Sequence, residues 1–121
     1  MPDPVVMQQA VRTYLAAFRA ADLNAIVELF AGDATVEDPV GTPKHEGLAA
    51  IREFYGKSIE LGAVLEQQGA TRVGADYAAF AFEAHIPGMG KVEVIDTFRF
   101  NEDGKIIEMR AFFGPENFRT A

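Results

Sequence analysis

Apolar residues recur at Met7, Val11, Tyr14 and Phe18, spacings of four, three and four that put them on one face of a helix. Asp3-Pro4 ahead of them offers an N-cap and a proline at the first helical position. Asp22 caps a second, shorter helix whose buried stripe is Leu23, Ile26, Val27 and Phe30, with Gly32 suited to its C-terminal end. "DATVEDP" (33–39) reads as a short strand stopped by Pro39, with Ala34, Val36 and Asp38 on one face. A loop through "GTPKHEG" leads to a third helix near 47–60, which turns Leu48, Ile51, Phe54, Tyr55 and Ile59 inward.

After Gly62 the period changes from helical to alternating. A weak strand lies near 63–73, and a stronger one runs from Tyr77 to Ile86 with Phe80, Phe82, Ala84 and Ile86 on one face. "PGMG" (87–90) and "NEDG" (101–104) are hairpin turns. Between them, residues 92–100 turn Val92, Val94, Asp96, Phe98 and Phe100 to one side and Glu93, Ile95, Thr97 and Arg99 to the other. The last strand points Ile107, Met109, Ala111 and Phe113 inward, with Glu108 and Arg110 outward. Arg99 and Arg110 are then expected to pair with Glu93 or Glu108 across strands. Helices first and strands afterwards predict an α+β fold. Three N-terminal helices pack on the concave face of a curved, mostly antiparallel sheet, in a single domain spanning 1–121.

This pattern aims three polar groups at the core: Tyr14, Asp38 and Asp96. Neither strand face offers a lysine, arginine or histidine to neutralise its aspartate, and burying an unpaired carboxylate costs about several kcal/mol. Two readings compete. Each acid is hydrated near a strand end, or the acids converge with the tyrosine on a cavity and do chemistry there. In the second reading, burial raises one carboxyl pKa until the acid stays protonated and donates a hydrogen bond beside the tyrosine hydroxyl. The better solvated acid stays ionised and serves as a base. That division suits proton abstraction next to a carbonyl.

Composition narrows the partners. The chain has 121 residues, 49% hydrophobic and 24% charged, with 11 basic against 18 acidic residues and a net charge of −7. Nucleic acid is repelled by such a surface, and no Lys/Arg cluster reverses it. The absence of cysteine excludes disulfides and Cys-based metal sites. No apolar run approaches the roughly 20 residues of a membrane span, and "MPDPVV" carries no basic leader, so a soluble, cytoplasmic protein is expected. His45 and His85 read as surface residues, and no His/Asp/Glu spacing suggests a metal site. "GMG" (88–90) is too short for a phosphate loop, so no nucleotide cofactor is expected.

"DATVEDPVG" (33–41), "AAIREFY" (49–55), "AAFAF" (78–82), "IDTFRF" (95–100) and "MRAFFG" (109–114) together resemble the bacterial Δ5-3-ketosteroid isomerases. The likeness keeps their order and spacing over nearly the whole chain. The resemblance implies the nuclear-transport-factor-2-like, SnoaL-like superfamily and its cystatin-like cone-shaped barrel. It implies a steroid Delta-isomerase with Asp38 as general base and Tyr14, from "VRTYLAAF", paired with protonated Asp96 as oxyanion hole. Ketosteroid isomerase is also the standing example of a protonated aspartate donor. Tyr55 matches a tyrosine that supports Tyr14, while Phe54, Phe82, Phe98 and Phe113 match the wall of an apolar slot. The implied substrate is a steroid or similar apolar unsaturated ketone, with no cofactor or metal. The implied assembly is a homodimer built through the outer face of the sheet. Phe30 departs from members that carry a further tyrosine there, which shortens the expected hydrogen-bond network. A non-catalytic binder of an apolar carbonyl ligand, or a polyketide-cyclase-like enzyme, are the other uses this scaffold offers.

Overall fold

The computed structural model describes residues 1–120. Helix α1 (Pro4–Ala20) begins where the Val5 N–H donates to Asp3 Oδ1 at 2.8 Å, with Pro4 in the first turn. Its inward stripe buries Met7, Ala10, Val11, Tyr14, Ala17 and Phe18. Asp22 caps α2 (Leu23–Val27), accepting from the Ala25 N–H at 3.1 Å.

Strand β1 (Phe30–Glu37) follows almost at once, and here the sequence pattern misleads. Phe30 continues the helical spacing of α2 and Gly32 resembles a helix stop, yet both belong to the strand. Phe30 pairs with Ile106, and its buried ring lies 5.7 Å from that of Tyr55. Sheet pairing and burial outweigh one more turn of a five-residue helix, which has little stability of its own.

The remaining elements are β2 (His45–Glu46), α3 (Leu48–Glu60), β3 (Val64–Gly74), β4 (Tyr77–Ile86), β5 (Gly90–Phe100), β6 (Ile106–Phe112) and β7 (Phe118–Arg119). The strand order is β2-β1-β6-β5-β4-β3, with β7 pairing β5. Strands β1 and β6 run parallel; the other neighbouring pairs among the described residues are antiparallel. Helix α1 packs on β3 and β4, and α3 packs on β1 and β2, so the helices fill the concave side of the curled sheet. The α+β architecture is the expected one.

Two inward assignments shift. Arg99 opposes Glu108, but Phe100 opposes Ile106, so β6 carries one extra residue and bulges at Ile107. Ile106 is therefore fully buried and Ile107 only half-buried. Leu48, at the start of α3, is exposed rather than inward. The arginines also find other partners: Arg110 Nε reaches Glu37 at 3.2 Å, and Arg99 reaches Asp76 at 3.3 Å. Arg110 turns to Glu37 because β1 lies on the far side of β6 and opposes it in register. Among the described residues no helix is long and apolar enough to cross a membrane.

Candidate active site

The inward row of β5 contains Asp96, which is 1% exposed and the only buried acid among the described residues. It lies between Phe80 of β4 and Ala111 of β6. The Val40 N–H donates to the Ala111 carbonyl at 2.8 Å, which ties the chain just after Asp38 to the level of Asp96. Glu37, one residue earlier, points the other way; its carboxylate accepts from the Gly41 N–H at 2.9 Å and from Arg110. Asp96, on β5, and Asp38, one residue past the end of β1 rather than within it, thus face one hollow; β1 and β5 are next-but-one strands, whose backbones lie about 10 Å apart.

The helices close this hollow from above. Tyr14 of α1 and Tyr55 of α3 meet with their hydroxyls 2.9 Å apart. The cavity has a volume of about 200 Å³, and Tyr14, Asp38, Phe54, Tyr55, Phe82, Asp96 and Phe113 all line it. Phe98 does not. It is fully buried one step deeper along the same face of β5, behind Tyr14 with ring centroids 5.0 Å apart. The period of two gives the correct face, but α1 covers that step. Phe30 offers Tyr55 only its ring, so the hydroxyl network among the described residues is the Tyr14–Tyr55 pair.

The electrostatics divide the two acids. Burial holds the Asp96 carboxyl well above its ordinary range, and the Asp38 carboxylate nearby adds to this. The Tyr14 hydroxyl pulls the other way, more weakly. Asp96 Oδ1 is buried without a hydrogen-bond partner among the described residues, an arrangement that native interiors seldom tolerate without a ligand or function. Asp38 is less enclosed, and burial raises it only to about 6. Burial, with the neighbouring Tyr55 and Asp96, keeps the Tyr14 hydroxyl protonated well beyond its usual limit. Burial thus favours the protonated form more strongly at Asp96 and Tyr14 than at the less enclosed Asp38, in apolar walls.

Sequence reasoning missed several wall residues, among them Phe18 and Ser58. Ser58 follows Tyr55 by three residues and Phe54 by four, so their shared helix face carried the signal. His45, read as a plain surface residue, is half-buried with its ring 4.6 Å from that of Phe54. The sheet also gathers Glu66, Glu83 and His85 within ligand distance of one another, a trio hidden from sequence spacing because it spans two strands. Lys91 Nζ already lies 3.4 Å from Glu83, so a cation there would compete with an existing ion pair. Of the side chains lining the cavity, two aspartates and no histidine could serve a metal, fewer ligands than a zinc site takes from protein.

Comparison with known proteins identifies the family. A model of the SnoaL-like domain matches residues 11–109. The chain is 41% identical over 112 residues to the steroid Delta-isomerase of Nocardioides simplex, covering 90% of each protein. It is 30% identical to the epoxide hydrolase LasB of Streptomyces lasalocidi, over 94% of this chain but 43% of that protein. The solved structure of the epoxide hydrolase/cyclase-like enzyme SalBIII, from pyran ring formation in the polyether salinomycin, superposes with a TM-score of 0.92. That match has 31% identity and covers the whole of both chains. By these likenesses the chain belongs to the SnoaL-like family and, within it, to the ketosteroid isomerases.

Proposed function

We propose that the protein is a steroid Delta-isomerase that moves the double bond of a 3-oxo-Δ5-steroid into conjugation. Asp38 takes a proton from C4, and the C–H electrons flow through C3 onto the ketone oxygen to give a dienolate. Tyr14 and protonated Asp96 donate hydrogen bonds to that oxygen. Asp38 then returns the proton at C6, leaving the Δ4 double bond and an unchanged enzyme. The proton travels only between substrate and Asp38, so the proposed reaction draws on no metal or cofactor.

The observation that supports this reading is the buried Asp96 carboxyl, whose Oδ1 has no partner among the described residues, lining one cavity with the Tyr14 hydroxyl and a more accessible Asp38. A non-catalytic binder needs the two donors but has no use for the base. The test is the absorbance of conjugated enone formed from 5-androstene-3,17-dione by the parent and by Asp38→Asn. The parent is expected to turn over and the variant to lose at least the roughly 10²- to 10³-fold typical of a key group. Equal rates in the two would remove Asp38 from the mechanism.

The likeness to SalBIII and LasB favours a second reading, opening of a hydroxy-epoxide. There Asp38 would accept the proton of the attacking hydroxyl, Asp96 would protonate the epoxide oxygen, and a new C–O bond would replace the one broken. Offering the parent a hydroxy-epoxide and the steroid side by side separates the two. We also propose a homodimer through the outer face of the sheet, where Ile95 and Phe112 oppose each other and are 49% and 39% exposed.

A further inference from the structure

Of the polar side chains lining the cavity, four belong to the acidic and tyrosine cluster; the fifth, Ser58, stands apart from it. Ser58 lies on α3, and its carbonyl accepts from the Ala63 N–H at 3.2 Å, just before β3 begins. Leu65, two residues on, pairs with Ala84, which pairs in turn with Val92. Ser58 is thereby held level with the Ala84–Val92 pair. Asp96 lies four residues further along β5, about 13 Å away in the strand direction.

The same cavity lining carries the apolar Ala63 and, from the strands that the Ser58–Ala63 hydrogen bond leads into, Leu65, Ala84, Ile86 and Val92. Ser58 is half-buried on this lining, and its hydroxyl takes part in no side-chain hydrogen bond to another described residue. A free donor and acceptor in an apolar wall, far from the reacting end, is placed to read the opposite end of a rigid ligand. The cavity is smaller than the roughly 300–1,000 Å³ of most ligand clefts, so a fused-ring substrate anchored at Asp96 extends past this level.

Resting on the isomerase reading, we propose that Ser58 is a specificity-determining residue that hydrogen-bonds an oxygen on the terminal ring of the substrate. The preferred substrates are then polycyclic ketones oxygenated at both ends. Ser58 touches no reacting atom, so its contribution appears in KM and Kd.

The test uses two pairs of probes on the parent, Ser58→Ala and Ser58→Thr. One pair is 5-androstene-3,17-dione and 5-androsten-3-one, followed by turnover. The other is a tetracyclic phenol with and without a terminal-ring ketone, followed by equilibrium binding. The doubly oxygenated member of each pair should bind the parent about 3- to 10-fold better, the worth of one solvent-competed hydrogen bond. The ratio should fall to about 1 in Ser58→Ala and recover in Ser58→Thr. A ratio unchanged by Ser58→Ala, or a parent with no preference, overturns the proposal. If the parent isomerises neither steroid, the isomerase reading fails while the phenol ratio still decides Ser58. If the parent isomerises neither steroid and binds neither phenol, both fall.

Discussion

The hydroxyls of Tyr14 and Tyr55 lie 2.9 Å apart at the closed end of the cavity, and both rings are almost wholly buried. When Tyr55 donates to Tyr14, the Tyr14 proton is free to point at a bound oxygen. In the proposed mechanism Tyr55 thereby supports a donor without being one. Tyr14→Phe removes the donor and should cost about 10²- to 10³-fold in kcat. Tyr55→Phe leaves the donor in place and removes one neutral hydrogen bond, so a loss of about 3- to 10-fold is expected. Steady-state kinetics on the two variants check the order. A Tyr55→Phe loss equal to that of Tyr14→Phe would make Tyr55 the direct donor.

The pH profile of turnover should report Asp38. Its carboxyl is raised to about 6, and a base works only when ionised, so kcat/KM should fall on a single acid limb with its midpoint near 6. A freely hydrated aspartate would put that limb near about 3.9. Burial favours the protonated, hydrogen-bond-donating forms of Asp96 and Tyr14, so the acid limb should belong to Asp38. Rates measured from pH 4 to 9 with stability controls decide it. A midpoint near 4 would mean that Asp38 is hydrated and that the apolar enclosure does not govern it.

Asp96 also sets a stability trend. Its folded-state pKa lies above the unfolded value, so the folded protein holds a proton that the unfolded chain releases. Its contribution is complete below the unfolded carboxyl pKa and is lost as pH rises towards the folded one, at up to about 1.4 kcal/mol per pH unit. Asp96→Asn keeps the shape and cannot ionise. The variant should match the parent near pH 4 and exceed it in urea midpoint at pH 7.5, while its isomerase rate falls. Parallel pH trends in the two proteins would mean that Asp96 is not protonated in the fold.

Most of the site was legible because alternation is a strong signal where a sheet has one buried face. The β5 row put Asp96 among valines and phenylalanines, and the structure buries that row throughout. Alternation gives the face, however, and not the depth, which is why Phe98 reads as wall and lies behind Tyr14. Helical spacing over-extended α2 to Phe30 because four apolar residues fit either period in so short a window. The bulge at Ile107 and the Glu37–Arg110 pair depend on which strands become neighbours. That information is non-local, since β1 and β6 meet across most of the chain.

The outer face of the sheet yields the last prediction. Ile95 opposes Phe112 on one side and Ala81 on the other, giving an apolar stripe flanked along β5 and β6 by Glu93, Thr97 and Arg110. A hollow of about 590 Å³ lies against it, lined by Gln68, Ala81, Ile95 and Phe112 among others. Stable homodimers pair one patch with its own copy, so a charge near the two-fold axis meets an identical charge. Ile95→Glu adds that charge to a chain already at −7. It should convert a dimer to monomer with little change in the monomer's fold, because Ile95 contributes little to the core. Sedimentation velocity on parent and variant reads the change directly, and circular dichroism checks the fold. A parent that sediments as a single 13.2 kDa chain would show that this stripe is not a self-association surface.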